Sequence, residues 1–142
     1  MNSAADIERI IRESHTIAIV GLSDNPGRHS HQVAQYLQRH GYRVIPVNPT
    51  VAEVLGQKCY PDLLSIPEQV DVVDIFRRSE HVPPVVEEAI QIGAKAIWMQ
   101  LGVVHEGAAA KARAAGLMVV MDRCMKIEHE RLIREGITTK KR

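Results

Sequence analysis

The sequence predicts a doubly wound parallel α/β sheet. Three observations carry that prediction. Short apolar runs alternate along the chain with segments whose apolar residues recur at helical spacing. Aromatic residues make up only 4% of the 142 residues, so the core must be built from Val, Ile, Leu and Ala, the residues of strands buried on both faces. Several helical segments end on a glycine just before the next apolar run, as at Gly41, Gly93 and Gly116, which is how helices stop before a returning strand.

The elements follow in order. "MNSAADIERIIRESH" is charged and amphipathic, with no hydrophobic signal core, and is expected to cover a sheet edge or to pack on a second subunit. "TIAIVG" (16–21) is the first strand. "HQVAQYLQRHG" (31–41) places Val33, Ala34, Leu37 and Gln38 at helical spacing. "YRVIPVNP" (42–49) is the second strand, with Pro46 expected at a bulge or an unpaired position because proline has no ladder donor. The segment 50–70 is the least regular, and "PDLLSIPEQV" predicts one short helix. "DVVDIF" (71–76) is the third strand. In "SEHVPPVVEEAIQIG" (79–93), Ser79 is the expected cap and two prolines fall in the first turn. "KAIWMQLG" (95–102) is the fourth strand, "EGAAAKARAAG" (106–116) an Ala-rich helix, "LMVVMD" (117–122) the fifth strand and "KIEHERLIREG" (126–136) a last amphipathic helix. The tail "TTKKR" is polar and expected to fray.

Right-handed crossovers put helices on both faces of a five-stranded, Rossmann-like sheet. The expected strand order is 3-2-1-4-5, with the first strand central and a crevice at its carboxyl end. Loops 21–30, 48–50, 76–82 and 100–105 would rim that crevice.

One domain over 1–142 is expected, with its core at about 16–132. The chain is 45% hydrophobic and 25% charged with a formal net charge of +1, which removes any whole-chain electrostatic case for nucleic acid or a membrane surface. No apolar run approaches membrane-spanning length. Cys59 and Cys124 make neither a disulfide framework nor a zinc pattern, so reduced structural thiols in a cytoplasmic protein are expected.

The loops carry the chemistry. In "GLSDNPGRHS", Gly21 permits close backbone approach and Ser30 is placed to cap the next helix. That helix start attracts phosphate, and Arg28 adds a guanidinium. The same residues also suit an ordinary surface turn. The fingerprint G-x-G-x-x-G is absent, and the second strand ends in "VNPT" with no carboxylate for a ribose. Asn48 and Pro49 stand there instead. "FRRSEH" sets Phe76, Arg77 and Arg78 at the crevice mouth, with at most one arginine expected to point inward. Gln100 and Gly102 suit an extended amide-bearing ligand. No catalytic motif is present, and Cys124 and the seven histidines are expected to be structural or surface residues.

The ordered set "IAIVGLSDNPGRHS", "GYRVIPVNP", "VDVVDIFRRSEHVPPVVEEAIQIGAKAIWMQLGV" and "AGLMVVMDRCMKIEH" resembles the small stand-alone CoA-binding proteins of bacteria and archaea. These are similar in turn to the N-terminal domain of the succinyl-CoA synthetase α subunit. The resemblance implies coenzyme A as the ligand. It places Gly21, Leu22, Ser23 and Asp24 at the first phosphate loop and Gln100, Leu101 and Gly102 at the loop after the fourth strand. The synthetase lysine after the second strand has no counterpart before Lys58, and Arg28, Arg77 or Arg78 are the candidates to replace it. On this resemblance the 3′-phosphate, pyrophosphate and pantetheine amides of CoA meet Arg28, the helix start near Ser30 and the Gln100–Gly102 loop. The synthetase's phosphohistidine and nucleotide-grasp domains have no counterpart here, so non-catalytic binding of CoA or an acyl-CoA is expected. An NAD(P)-dependent oxidoreductase or redox sensor, and an interaction subunit of an acyl-CoA enzyme, are the alternatives. A protein partner or homo-oligomer is compatible with each.

Overall fold

The computed structural model describes residues 2–137, so the tail "TTKKR" lies outside the described residues. The strands are β1 (Thr16–Val20), β2 (Arg43–Val47), the hairpin β3 (Glu53–Val54) and β4 (Gln57–Lys58), β5 (Val72–Ile75), β6 (Ala96–Met99) and β7 (Met118–Val120). The helices are α1 (Ala4–Glu13), α2 (His29–Arg39), α3 (Val82–Gln91), α4 (Glu106–Ala114) and α5 (Met125–Arg134). All five strands expected from the apolar runs form, and they pair in parallel.

Their order is β2-β1-β5-β6-β7. Counted over the five main strands this is 2-1-3-4-5, where 3-2-1-4-5 was expected, and β5 rather than β1 is central. The reason lies in residues 48–71. Tyr60 bridges in parallel to Val47 along the outer edge of β2; Tyr60 N donates to the Pro46 carbonyl and Asn48 N donates to the Tyr60 carbonyl. That edge is taken, so β5 pairs with the other side of β1. The winding direction therefore reverses between β1 and β5, and the crevice opens at their carboxyl ends.

Pro46 sits as anticipated. Arg43 N donates to His15 O and Val47 O accepts from Gly21 N, so odd-numbered backbone groups of β2 face β1. Pro46 faces the outer edge, where its missing N–H breaks no ladder bond with β1. The expected short helix in 61–70 is one 3-10 turn, Leu63–Ser65, capped by the Asp62 carboxylate. The β3–β4 hairpin was not expected from sequence. Its turn has Leu55 at φ 52° and Gly56 at φ 75°, and only the glycine advertises such a turn.

Side chains alternate across the sheet into two cores. Ala18, Val20, Ile45, Val73, Ile75 and Ile97 pack against α3 and α4. Ile17, Ile19, Val44, Val72 and Trp98 pack against α1, α2 and α5. α1 covers the β7 side, where the Asn2 amide pairs with both backbone groups of Met121 at 2.7 Å. Trp98, the sole tryptophan, is fully buried and donates to the Arg123 carbonyl, tying β6 to the loop after β7.

Two aspartates three residues apart behave oppositely. Burial pushes the Asp71 carboxyl up, but N–H bonds from Thr16 and His15 at 2.9 Å, with Lys95 nearby, outweigh it and hold the carboxyl below its ordinary value. Asp71 thereby pins the starts of β1 and β5 together. Asp74 sits mid-strand in β5 between Ile19 and Trp98, fully buried, and neither carboxylate oxygen has a hydrogen-bond partner among the described residues. Burial raises its carboxyl well above the ordinary range. The folded chain therefore keeps this proton at pH values where the unfolded chain has lost it. Stability contributed by the protonated form is full below the unfolded value near 3.9 and is lost as pH rises through the folded value. Asp74→Asn removes that loss. Thermal unfolding followed by Trp98 fluorescence should show the variant gaining on wild type as pH rises from 5 to 8. A variant that loses ground with rising pH would mean a paired, ionised Asp74.

Candidate functional site

The crevice is built around one contact. Gly21 ends β1 at φ 85°, and a Cβ placed on it would stand 2.2 Å from the Phe76 carbonyl oxygen. No side chain fits there, so the loops after β1 and β5 touch backbone to backbone. The same imaginary Cβ would lie 3.3 Å from Arg77 Nε. Arg77 thus folds back over the glycine. It is half-buried, and its Nε is buried with no hydrogen-bond partner among the described residues. Arg78 is exposed. Of the two adjacent arginines, one is half-buried over Gly21 and the other is exposed, where a solvated pair is the usual arrangement for such a dipeptide.

Gly21 and Phe76 separate two shallow cavities. One, of about 370 Å³, is lined by Gly21, Ser23, Arg28, His29, Ser30 and Phe76. The other, of about 330 Å³, is lined by Gly21, Asn48, Pro49, Thr50, Phe76 and Arg77. Arg77 also lines a third, of about 290 Å³, that runs under α3 past His81 and Glu88. A larger cavity of about 540 Å³ lies at the opposite end of the sheet, among Arg9, Glu13, Asp71, Lys95 and Gly116. Its carboxylates and cations include pairs already formed, such as Asp71 with Lys95. The crevice end holds buried donors without partners, and open parallel sheets bind at that end. The smaller cavities are therefore the candidate site.

Ser30 does not cap α2. The helix begins one residue earlier, at His29, with Arg28 at the cap position and no side chain capping it. Ser30 Oγ instead accepts the Ser23 N–H at 3.1 Å, and Ser23 Oγ accepts the Asn25 N–H. The loop folds on itself and leaves the positive end of α2 facing the cavity beside Arg28. Asn48 is equally committed: its amide donates to the Leu22 carbonyl and accepts from Thr50 N and Thr50 Oγ1. It ties the loop after β2 to the loop after β1.

Other sequence candidates fall in different places. The Leu22 side chain is fully buried in the core, so only its backbone belongs to the loop. Asp24 is exposed, and neither of the two cavities beside Gly21 includes it. Gln100 is almost fully buried; Met125 N donates to its Oε1 at 3.2 Å, and its Nε2 has no partner. Leu101 is exposed, and Gly102 N donates to Asp122 Oδ1, closing the loops after β6 and β7 on one another. Lys58 stands over the Tyr60 ring, away from these cavities.

Sequence reasoning missed two groups. His29 faces Phe76 edge-on at 6.0 Å, and its Nε2 lies 3.7 Å from Cys124 Sγ, 95 positions away. Nothing local signals that pairing. Asp74 did leave a signal, because an acidic residue inside a strand buried on both faces is out of place.

Fold and site together define a doubly wound domain whose crevice presents Arg28, Arg77 and a helix start with no side-chain cap. Residues 15–130 match the model of the CoA binding domain, and the chain belongs to that family. It is 45% identical over 127 residues to the uncharacterized protein YneT of Bacillus subtilis, covering 89% of this chain and 94% of that one. A hypothetical protein from Pyrococcus horikoshii superimposes with a TM-score of 0.89 at 46% identity, over 92% of each chain. The chain is 34% identical over 95 residues to an ADP-forming acetate–CoA ligase of Archaeoglobus fulgidus, aligning 65% of this chain with only 14% of the ligase. The dinucleotide-forming acetyl-coenzyme A synthetase 1 of Ca. Korarchaeum cryptofilum matches with a TM-score of 0.70 at 30% identity, over 84% of this chain and 27% of the synthetase. Among the described residues no helix is long and apolar enough to cross a membrane.

Gly21→Ala tests the construction of the site. The alanine must adopt a left-handed backbone and push the Phe76 carbonyl away. A loss of at least about 2 kcal/mol is expected in urea unfolding. A loss below about 0.5 kcal/mol would show that the two loops need not touch.

Proposed function

We propose that this chain binds coenzyme A or an acyl-CoA in the crevice at the carboxyl ends of β1 and β5, and that it does so without turning the ligand over. Family membership supports CoA binding in general. The observation that carries the site assignment is Arg77, a guanidinium folded over Gly21 with a buried, unpartnered N–H. Leaving such a donor unmatched is costly, and a phosphate oxygen satisfies both its charge and its geometry.

The rest of the ligand follows the crevice. The uncapped start of α2 with Arg28 suits a second phosphate group. Gln100 Nε2 and the exposed rim at Leu101 and Gly102 suit pantetheine amides. Binding rather than turnover is favoured because Ser23, Ser30 and Asn48 spend their side chains holding the loops in place. Arg77 takes the place of the lysine that the synthetase carries after its second strand.

Calorimetry with CoA, dephospho-CoA and NAD tests this reading. CoA should bind tightest, and dephospho-CoA more weakly for want of the 3′-phosphate. Arg77→Ala should weaken CoA by about tenfold or more, the worth of one charge-assisted hydrogen bond, while Arg78→Ala changes it little. CoA binding no tighter than NAD would reject the proposal.

A further inference from the structure

We propose that Cys124 and His29 form a thiol–disulfide exchange site that tethers the sulfur end of the crevice ligand covalently. The inference rests on the CoA reading for the identity of the ligand, but its geometry stands apart. Cys124 occupies the cap position of the ten-residue helix α5, and its side chain caps nothing. His29 Nε2 is 3.7 Å from Cys124 Sγ, which gives the thiol a base within reach. Gln100 meets the same helix start: its Oε1 accepts from Met125 N, and its Nε2 is buried with no partner. Gln100 thus takes the first N–H of α5 and leaves the Cys124 sulfur free to face His29, and a thiolate is the attacking species in disulfide exchange.

The thiol also lies where a sulfur terminus would arrive. His29 is exposed, lines the cavity beside Gly21 and stands against Phe76. Cys124 is 2% exposed, one side chain behind that wall. Turning the His29 ring outward is the movement that opens the sulfur to the cavity. A ligand with its phosphates at α2 and Arg77 runs its other end toward Gln100, at the start of α5.

The reaction balances without an added oxidant when the ligand arrives as its own disulfide. Cys124 passes its proton to His29, and the thiolate attacks one sulfur of the ligand disulfide. The S–S bond of the ligand breaks as a bond between Cys124 and one ligand half forms. The other half leaves as a thiolate and takes the proton back from His29. A thiol reductant reverses the sequence. Cys59, which donates to the Asn48 carbonyl and whose thiol burial pushes up, has no such base and serves as the internal control.

The test is intact-mass spectrometry of the reduced protein after exposure to CoA disulfide or glutathione disulfide, with peptide mapping of the modified residue. One CoA half should add at Cys124, be released by dithiothreitol, persist in Cys59→Ser and vanish in Cys124→Ser. CoA disulfide should react about tenfold or more faster than glutathione disulfide at equal concentration. His29→Ala should slow the reaction and change its pH profile. Wild-type protein whose Cys124 stays reduced, or whose Cys59 reacts equally, overturns the proposal; mapping on wild type needs no variant to fold. Failure of the binding reading shows separately: CoA gives no heat in calorimetry while Cys124 still takes up glutathione.

Discussion

The crevice depends on the backbone contact between Gly21 and Phe76. Because Gly21 has no side chain, the loop after β1 lies directly on the loop after β5. That contact sets where Arg77 turns back and places Phe76 as the divider between two cavities, one lined by the start of α2 and the other by Arg77. It exists only because β5 pairs with β1, and β5 pairs there because Tyr60 already holds the outer edge of β2. The connection over residues 48–71, which holds no α-helix, thus fixes the position of the candidate site.

The hydrogen bonds around this contact divide into two kinds. Ser23, Ser30, Asn48 and Thr50 bond to one another and to backbone groups, so they build the loops rather than meet a ligand. Arg77 and Gln100 each keep a buried N–H without a partner. Unmatched buried donors are rare in folded chains and concentrate where something else completes them. Asp74, mid-strand on the same face of the sheet as Phe76 and Gln100, also keeps a carboxyl without a partner among the described residues. Asp71, equally acidic and three residues away, is fully bonded and serves only the fold. Local rules are broken at the site and kept elsewhere, as expected of a functional surface.

Much of this was legible in the sequence. The five apolar runs became the five parallel strands, and the glycine-terminated helical patterns became α2, α3, α4 and α5 within two or three residues. Pro46 took an outward backbone position because its missing donor allows no other. Strand order was not legible, because the Tyr60 bridge that decides it has no periodicity to reveal it. Ser30 looked like a helix cap because serine before an apolar periodic segment usually is one; here its hydroxyl bonds to Ser23 and Arg28 takes the cap position. The pairing of His29 with Cys124 joins the first and last parts of the sheet, which no local pattern reports.

On the proposed reading, ligand binding is confined to the β1–β5 end of the sheet, although a larger cavity exists at the other end. Backbone amide shifts recorded while CoA is titrated into the 15N-labelled protein test it most directly. The largest changes should fall at Gly21–Ser30, Asn48, Thr50, Phe76 and Arg77, with Arg9, Glu13, Lys95 and Gly116 unmoved. Changes centred on Arg9, Glu13, Lys95 and Gly116 instead would contradict it.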